Sequence, residues 1–323
     1  MSKLKIVYFG TPDFAAYILE QMVSAGCDIR GVVTMPDKPA GRGHKLRPSA
    51  VKETAERLLP GTPLLQPEKL RDEAFLDELH SLEADLFVVV AFRMLPAEVW
   101  TMPERGTFNL HASLLPRYRG AAPIQHAILN GDNATGVTTF FLNEEIDMGR
   151  IILRKETPIA PDETGGTLHD RLMHMGGEAV LETIALIGKS DPKALLGRKQ
   201  SEYYTDEDLP LPPAPKIFKS DRELRFKSET ATALERRVRA MSPYPAALMT
   251  HEDGTEYKVF KAAKLPSQEG LSPGEFKVTS DRRLIVEAIG GALEILELQA
   301  PSKKATAAGN YLLGNTIPEG SFL

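Results

Sequence analysis

The chain is poor in the residue types that would commit it to several large classes of protein. It has one cysteine, Cys27, so no intrachain disulfide can form and no thiolate cluster is available to bind zinc. No stretch of about 18 apolar residues occurs, so a membrane-crossing helix is not expected. The first residues run straight into strand-like sequence without the apolar core and small-residue cleavage site of a secretory signal. A reduced, cytoplasmic protein is the expectation. Tryptophan is represented once, by Trp100, which reads as core rather than as a base-stacking surface. His169 and His174 stand five apart, not at the i, i+4 spacing of a helical metal pair. Internal repeats and low-complexity tracts are also missing.

Charge shows no strong excess of either sign. Lys and Arg number 39 against 44 Asp and Glu, a formal charge of −5. The distribution is uneven: from Leu211 onward 16 basic residues face 14 acidic ones, net +2, which leaves −7 upstream. A mildly basic second part on an acidic body is compatible with a nucleic-acid partner. With 42% hydrophobic and 26% charged residues over 323 positions, two folded domains are expected rather than one.

The start of the chain has the pattern of a βαβ unit. An apolar run over residues 4–9 precedes Gly10-Thr11-Pro12-Asp13, where Thr11 suits a helix N-cap and Pro12 the first helical position. Ala15, Ile18, Leu19, Met22 and Val23 then recur on one helix face, Gly26 stops the helix, and 28–34 reads as the next strand. That order implies a parallel sheet covered by helices. The turn has one glycine where a dinucleotide site needs G-x-G-x-x-G, which argues against a nicotinamide enzyme. Further strands are expected at 85–91, 106–112 and 136–143. Helices are expected at 49–59 and at 166–188, the latter bent near Gly176-Gly177. A doubly wound, mostly parallel α/β sheet over residues 1–190 is therefore expected. Residues 191–216, polar and carrying five prolines, read as a linker. Beyond it, 217–323 begins with a helix over 228–241 that buries Leu234 and Val238 and leaves Arg236, Arg237 and Arg239 outside. Five short strands follow, which suggests a small β-barrel of OB type.

Two segments carry chemistry. Residues 36–48 combine three prolines, two glycines, Lys38, Arg42, Lys45 and Arg47 with nothing apolar enough to anchor them. A solvated loop would fit, but structureless loops of this length in compact domains are usually functional or disordered. The second segment is Asn109-Leu110-His111-Ala112-Ser113-Leu114-Leu115-Pro116-Arg117-Tyr118-Arg119-Gly120. On a strand, Asn109 and His111 share a face at its carboxyl end, where open α/β sheets place their sites. They fit either a catalytic pair or two hydrogen-bonded structural residues. Asp147, Glu144 and Glu145 follow the next strand, and the residues alone leave open which of the three serves as a partner acid.

Asn109-x-His111 with Ser113-Leu114-Leu115-Pro116, and Ile146-Asp147-x-Gly149 downstream, resembles the folate-dependent formyltransferases. Phe9-Gly10-Thr11-Pro12-Asp13-Phe14, Pro36 to Gly43, and Arg119-Gly120-Ala121-Ala122-Pro123-Ile124-Gln125 are similar, within that family, to members acting on charged initiator tRNA. Arg239-Ala240-Met241-Ser242-Pro243-Tyr244-Pro245-Ala246 is similar to the second domain of those members, so the resemblance spans nearly the whole chain. It implies a monomeric transferase with 10-formyltetrahydrofolate as donor, the α-amine of a methionyl initiator tRNA as acceptor, and no metal. It also implies Asn109, His111 and Asp147 as the catalytic set, with Asp147 holding the imidazole, and Ser113, Leu114, Leu115 and Pro116 bordering folate. For tRNA it implies Arg42, and residue chemistry adds Lys38, Lys45 and Arg47 in the same loop and Arg236, Arg237 and Arg239 in the second domain. The sequence departs from the family pattern twice. Residues 91–96 read Ala-Phe-Arg-Met-Leu-Pro where Ala-Tyr-Gly and a slightly longer run are usual, and Arg150 stands where an acid commonly follows Asp-x-Gly. A formyltransferase for a small amine would need neither the basic loop nor the second domain. An RNA-binding protein on an inactive scaffold would not need Asn109, His111 and Asp147 together.

Overall fold

The apolar run near the start forms β1 (Lys5–Gly10), followed by α1 (Asp13–Ser24) and β2 (Asp28–Val33). This computed structural model describes residues 3–40, 45–191 and 197–323. The chain divides into two compact units. The first comprises Met1–Gly120, Gly136–Thr157 and Asp170–Pro212; the second comprises Ala121–Thr135, Pro158–His169 and Pro213–Leu323.

In the first unit the chain continues through β3 (Lys38–Ala40), β4 (Lys45–Arg47), α2 (Ala50–Leu58), β5 (Leu64–Leu65), α3 (Glu73–Ser81), β6 (Leu86–Val90), α4 (Ala97–Trp100) and β7 (Thr107–His111). After α5 (Pro123–Asn130) come β8 (Ala134–Phe141), β9 (Ile151–Pro158) and α6 (Gly165–Lys189). Seven strands form one sheet in the order β5-β2-β1-β6-β7-β8-β9. It is parallel from β5 to β7, and β8 runs antiparallel to β7. The expected doubly wound sheet is thus present. On one side Phe9, Phe87, Val89, Phe75, Leu79 and Val99 form a core, against which Trp100 packs.

Three local expectations change. Pro12, not Thr11, is the residue that precedes α1: its carbonyl accepts from Ala16 N at 3.0 Å, and the Thr11 hydroxyl is buried without a partner. α6 is one uninterrupted helix through Gly176 and Gly177. A Cβ at Gly176 would sit 2.8 Å from Leu110 Cδ2, so this glycine permits close approach to β7 and does not bend the helix. Residues 36–48 include an antiparallel ribbon, Lys38 opposite Arg47 and Ala40 opposite Lys45, where an unstructured loop was expected. Its foot is polar rather than apolar: Asp37 accepts from Lys52 Nζ at 2.7 Å and Gln66 Nε2 at 2.8 Å. Those bonds hold the Asp37 carboxyl below its usual pKa.

The proline-rich stretch is docked rather than free. Ile151 and Arg198 exchange main-chain hydrogen bonds of 2.9 and 2.8 Å, and Pro212 O accepts from Tyr118 N at 2.7 Å.

The second unit pairs α5 with α7 (Ala231–Met241), which Thr230 caps by accepting from Ala233 N. Strands β10 (Ala247–Thr250), β11 (Glu256–Leu265), β12 (Phe276–Val278), β13 (Leu284–Ala288) and β14 (Gly291–Gln299) form an antiparallel sheet ordered β10-β11-β14-β13-β12, with β15 (Thr306–Ala307) on β14. Phe322 bridges His251 and Ser321 bridges Glu275, so the last residues join the two outer strands. This is the expected small barrel, filled by Phe226, Tyr257 and Phe322 with aliphatic side chains around them. Among the described residues no helix is long and apolar enough to cross a membrane.

Candidate active site

Strand β7 lies between β6 and β8, and its alternation separates two environments. Leu110 faces α6 at Gly176, and Thr139, its partner on β8, bonds Thr183 of α6 at 2.7 Å. Asn109 and His111 therefore project from the other face, opposite Phe140 and Thr138. The Asn109 Oδ1 is buried with no hydrogen-bond partner among the described residues. An amide left so is destabilised by about 1–3 kcal/mol, which a bound N–H or water would recover. His111 is buried, and its Nε2 lies 2.8 Å from the carbonyl of Tyr118. A carbonyl only accepts, so Nε2 carries the proton, and a neutral ring presents Nδ1 as its lone pair.

Asp147 sits in the turn between β8 and β9 with φ at 54°. Its Oδ2 accepts from Gly120 N at 3.0 Å, and its main-chain carbonyl accepts from Gln200 Nε2 at 2.7 Å. Glu144 and Glu145 are exposed, so Asp147 is the acid tied into the site. Among the described residues His111 and Asp147 make no hydrogen bond to each other. They grip one short segment from its two ends, the imidazole at Tyr118 O and the carboxylate at Gly120 N. This corrects the expectation that Asp147 holds the ring: the orienting group is a main-chain carbonyl.

The Ser113–Pro116 loop is also built differently from expectation. Ser113 is fully buried and donates to Arg117 O at 2.7 Å. Leu115 packs with Phe140 and Ile151, and Pro116 is buried. Thr138 Oγ1 donates to Ser113 O and accepts from Leu115 N, pinning the loop to β8. These side chains shape the loop from within, and Leu114 alone of the four is partly exposed. At the two departures from the family pattern, each arginine is held by main chain. Arg150 donates to Gly197 O at 3.0 Å. Arg93 donates to Glu68 O at 2.8 Å and to Pro67 O, while Phe92 meets Phe9 edge-on at 5.8 Å.

Of the basic candidates, Lys38 and Arg47 are exposed and directly opposed on the ribbon. Lys45 contributes main chain to the ribbon, and Arg42 lies outside the described residues. The three arginines of α7 do not form the free basic face expected of them. Arg237 makes a two-pronged pair with Glu229 and donates to Glu223 O. Arg239 bonds Glu235 at 2.5 Å and Glu163 O at 3.1 Å. Arg236 lies over the end of α5, 3.4 Å from Asn130 O. Arg237 and Arg239 are thus paired with acids, while Arg236 meets only a carbonyl.

Two residues of the site escaped the sequence reading. Gln200, inside the supposed linker, donates to the carbonyls of Asp147 and Gly149 and accepts from Arg119 at 2.7 and 3.1 Å. Thr138 looked like one β-branched strand residue among several. Neither sits in a local pattern that marks it. Among the described residues no group of three or more His, Cys, Asp or Glu is placed to hold a metal.

The family model described as Formyl transferase matches residues 4–184, and that described as Formyl transferase, C-terminal domain, matches residues 216–316. A protein of Parabacteroides distasonis named methionyl-tRNA formyltransferase is 48% identical over 318 residues, covering 96% of this chain and 95% of its own. Two solved structures share the fold at low identity. An N-formyltransferase from Helicobacter canadensis, in complex with folinic acid and dTDP-3-aminofucose, aligns with a TM-score of 0.64 at 18% identity, over 92% of this chain and 99% of that one. HypX from Aquifex aeolicus, in complex with tetrahydrofolic acid, aligns with a TM-score of 0.64 at 17% identity over 96% of this chain, which spans about half, 47%, of HypX. With both halves matched in order and a relative of almost equal extent at 48% identity, the chain belongs to the formyl transferase family.

Proposed function

We propose that this chain moves the formyl group of 10-formyltetrahydrofolate onto the α-amine of methionine carried by initiator tRNA, in the cytoplasm, for translation initiation. The observation that carries the reading is the Asn109 amide oxygen, unpartnered among the described residues, beside the proton-bearing His111, with Asp147 gripping the same 118–120 segment as the imidazole. The donor, a co-substrate, supplies the activated formyl carbon. A buried amide oxygen without a partner fits a ligand rich in N–H groups, as a reduced pterin is. The Asn109 NH2 group stabilises the negative charge that develops on the formyl oxygen. Nδ1 of His111, free because Nε2 is committed to Tyr118, takes the proton from the attacking amine and returns it to N10 of the folate as the bond between that nitrogen and the formyl carbon breaks. Asp147, with Oδ2 fixed by Gly120, offers Oδ1 to the positive charge that results. The main chain of Ser113–Pro116, together with Leu114, borders the folate.

The ribbon supports a nucleic-acid acceptor over a small amine. Like charges directly opposed across an antiparallel pair repel, and Lys38 facing Arg47 is such a pair. A phosphate backbone between them turns that repulsion into attraction. Arg42 and Lys45 belong to the same basic stretch of sequence, and an arginine can grip phosphate with two donors at once. The test is a formyl-transfer assay with charged initiator tRNA, charged elongator tRNA and free methionine. Transfer to initiator tRNA should dominate. Arg42→Ala should slow that transfer by about tenfold or more, the scale of one lost charge-assisted contact, and leave transfer to a minimal aminoacyl acceptor almost unchanged. Equal slowing with both acceptors would remove Arg42 from tRNA recognition.

A further inference from the structure

A second recess opens at the end of the β8–β9 pair, beside Met148 and Gly149, which flank Asp147. Phe141 stands two residues beyond Thr139, which bonds to α6, so Phe141 lies on the face opposite Asn109 and His111. It and Ile187 help wall a cavity of about 660 Å³ into which Arg105, Arg119, Arg150 and Lys199 also project. That volume lies within the roughly 300–1,000 Å³ of small-molecule sites. Asp191 is the one carboxylate among the lining residues. Arg105 caps the end of α6 through the carbonyls of Ile187 and Ser190, so its charge is balanced by the helix end. The other three are not balanced in this way. Arg119 donates to the neutral Gln200 amide and Arg150 to the neutral Gly197 carbonyl. Neither of these arginines, nor the exposed Lys199, forms an ion pair with a carboxylate among the described residues, and Glu202, which bonds Arg198, acts on Arg150 only through space.

A cavity with apolar walls and four cations against one carboxylate in its lining selects for a ligand of matching character. We propose that it binds a small amphipathic organic oxyanion, a flat apolar body with a carboxylate or phosphate head, separately from the formyl-transfer face. The same wall contacts the catalytic turn. Gln200, which accepts from Arg119, donates to the carbonyls of Asp147 and Gly149. An anion that draws Arg119 off Gln200 therefore shifts the support of Asp147, and occupancy changes turnover. This coupling rests on the proposed role of Asp147; the binding itself does not.

The test uses the full chain and 8-anilinonaphthalene-1-sulfonate, an amphipathic anion whose fluorescence rises in apolar surroundings. One saturable site is expected. Lys199→Glu, a reversal at an exposed position, should weaken it by about fivefold or more. Arg150→Gln together with Lys199→Glu should weaken it further. Saturating formyl-folate donor should leave probe binding unchanged. Displacement by 2-naphthoate or by adenosine monophosphate would support the site and distinguish a carboxylate head from a phosphate head. Displacement by the folate donor, displacement by neither anion, or binding indifferent to Lys199→Glu would overturn the proposal. The bound probe should lower kcat more than it raises KM. An unchanged kcat at full occupancy would overturn the coupling to Asp147 and leave the binding result standing. Loss of formyl transfer to tRNA in the wild-type assay would instead count against the proposed function, since probe binding is read without turnover.

Discussion

His111 commits one ring nitrogen to the Tyr118 carbonyl, and that bond decides which nitrogen is left for chemistry. If Nδ1 is the base and Asn109 the donor, each should be expensive to lose for turnover. Asn109→Ala and His111→Ala are each expected to lower kcat/KM by about 100-fold or more, the scale of one lost oxyanion contact. Thermal stability should change little for Asn109, whose buried oxygen is already unpaired. Parallel turnover and melting measurements check this, and near-normal turnover in either variant removes that residue from the catalytic set. The pair was legible because strand alternation needs only two residues to act. Gln200 was not, because its bond to the Asp147 carbonyl spans 53 positions and nothing local distinguishes it from other polar linker residues. The ion pairs of Arg237 and Arg239 were not legible for a related reason. Sequence shows which side chains face outward but not which acids, here Glu229 and Glu235, claim them.

The β8–β9 turn carries Asp147, and its geometry depends on Gly149. A Cβ there would lie 1.6 Å from the carbonyl oxygen of Phe141, a main-chain atom with no freedom to give way. Gly149→Ala should cost about 1–3 kcal/mol as the hairpin is forced apart. Turnover should fall with stability, because Asp147 moves with the turn. A variant that loses turnover and keeps its melting temperature would show that the turn adapts without unfolding. Periodicity identified most elements, since apolar alternation and helix spacing are themselves the folding signal. It misread Gly176 because a helix glycine that permits close packing and one that permits bending look alike until the neighbour, Leu110, is known. In the barrel, burial pushes the Tyr257 phenol up to about 12, and Tyr311 beside it adds to the effect. The folded state holds this proton more tightly than the unfolded state, whose phenol titrates near 10. The associated stability is complete below about pH 10 and is lost as pH rises toward 12. Unfolding measured across that window should show the second unit weakening, and Tyr257→Phe should flatten the dependence. An unchanged slope in that variant would assign the alkaline loss to other groups.

The chain passes between the two units five times, at 120–121, 135–136, 157–158, 169–170 and 212–213. Proline content alone suggested a single crossing near residue 200, and family matches ending at 184 and resuming at 216 have the same look. Contacts explain the difference. Leu129 of α5 packs against the core to which α7 brings Leu234 and Val238, and Arg236 lies over the Asn130 carbonyl. In the segment before α6, Gly166 N donates to Ser242 O, and Arg239 reaches the Glu163 carbonyl. Segments 121–135 and 158–169 thus belong energetically to elements whose bonds to them span 76 to 106 positions, which no reading of local pattern reveals. A chain ending at Pro212 would keep every strand of the large sheet and both His111 and Asp147, yet leave α5 and 158–169 without their partners. Its exposed apolar surface should make it bind anilinonaphthalene sulfonate non-saturably and melt without a sharp transition. Donor binding should fall along with tRNA binding, because α5 follows directly on the Tyr118–Gly120 segment that His111 and Asp147 grip. Calorimetric titration of this shortened chain with the folate donor is the measurement. If it binds donor as the full chain does, the large sheet folds independently of those segments and the two units are separable. Losing both ligands together means that formyl transfer and tRNA capture depend on one cooperative structure.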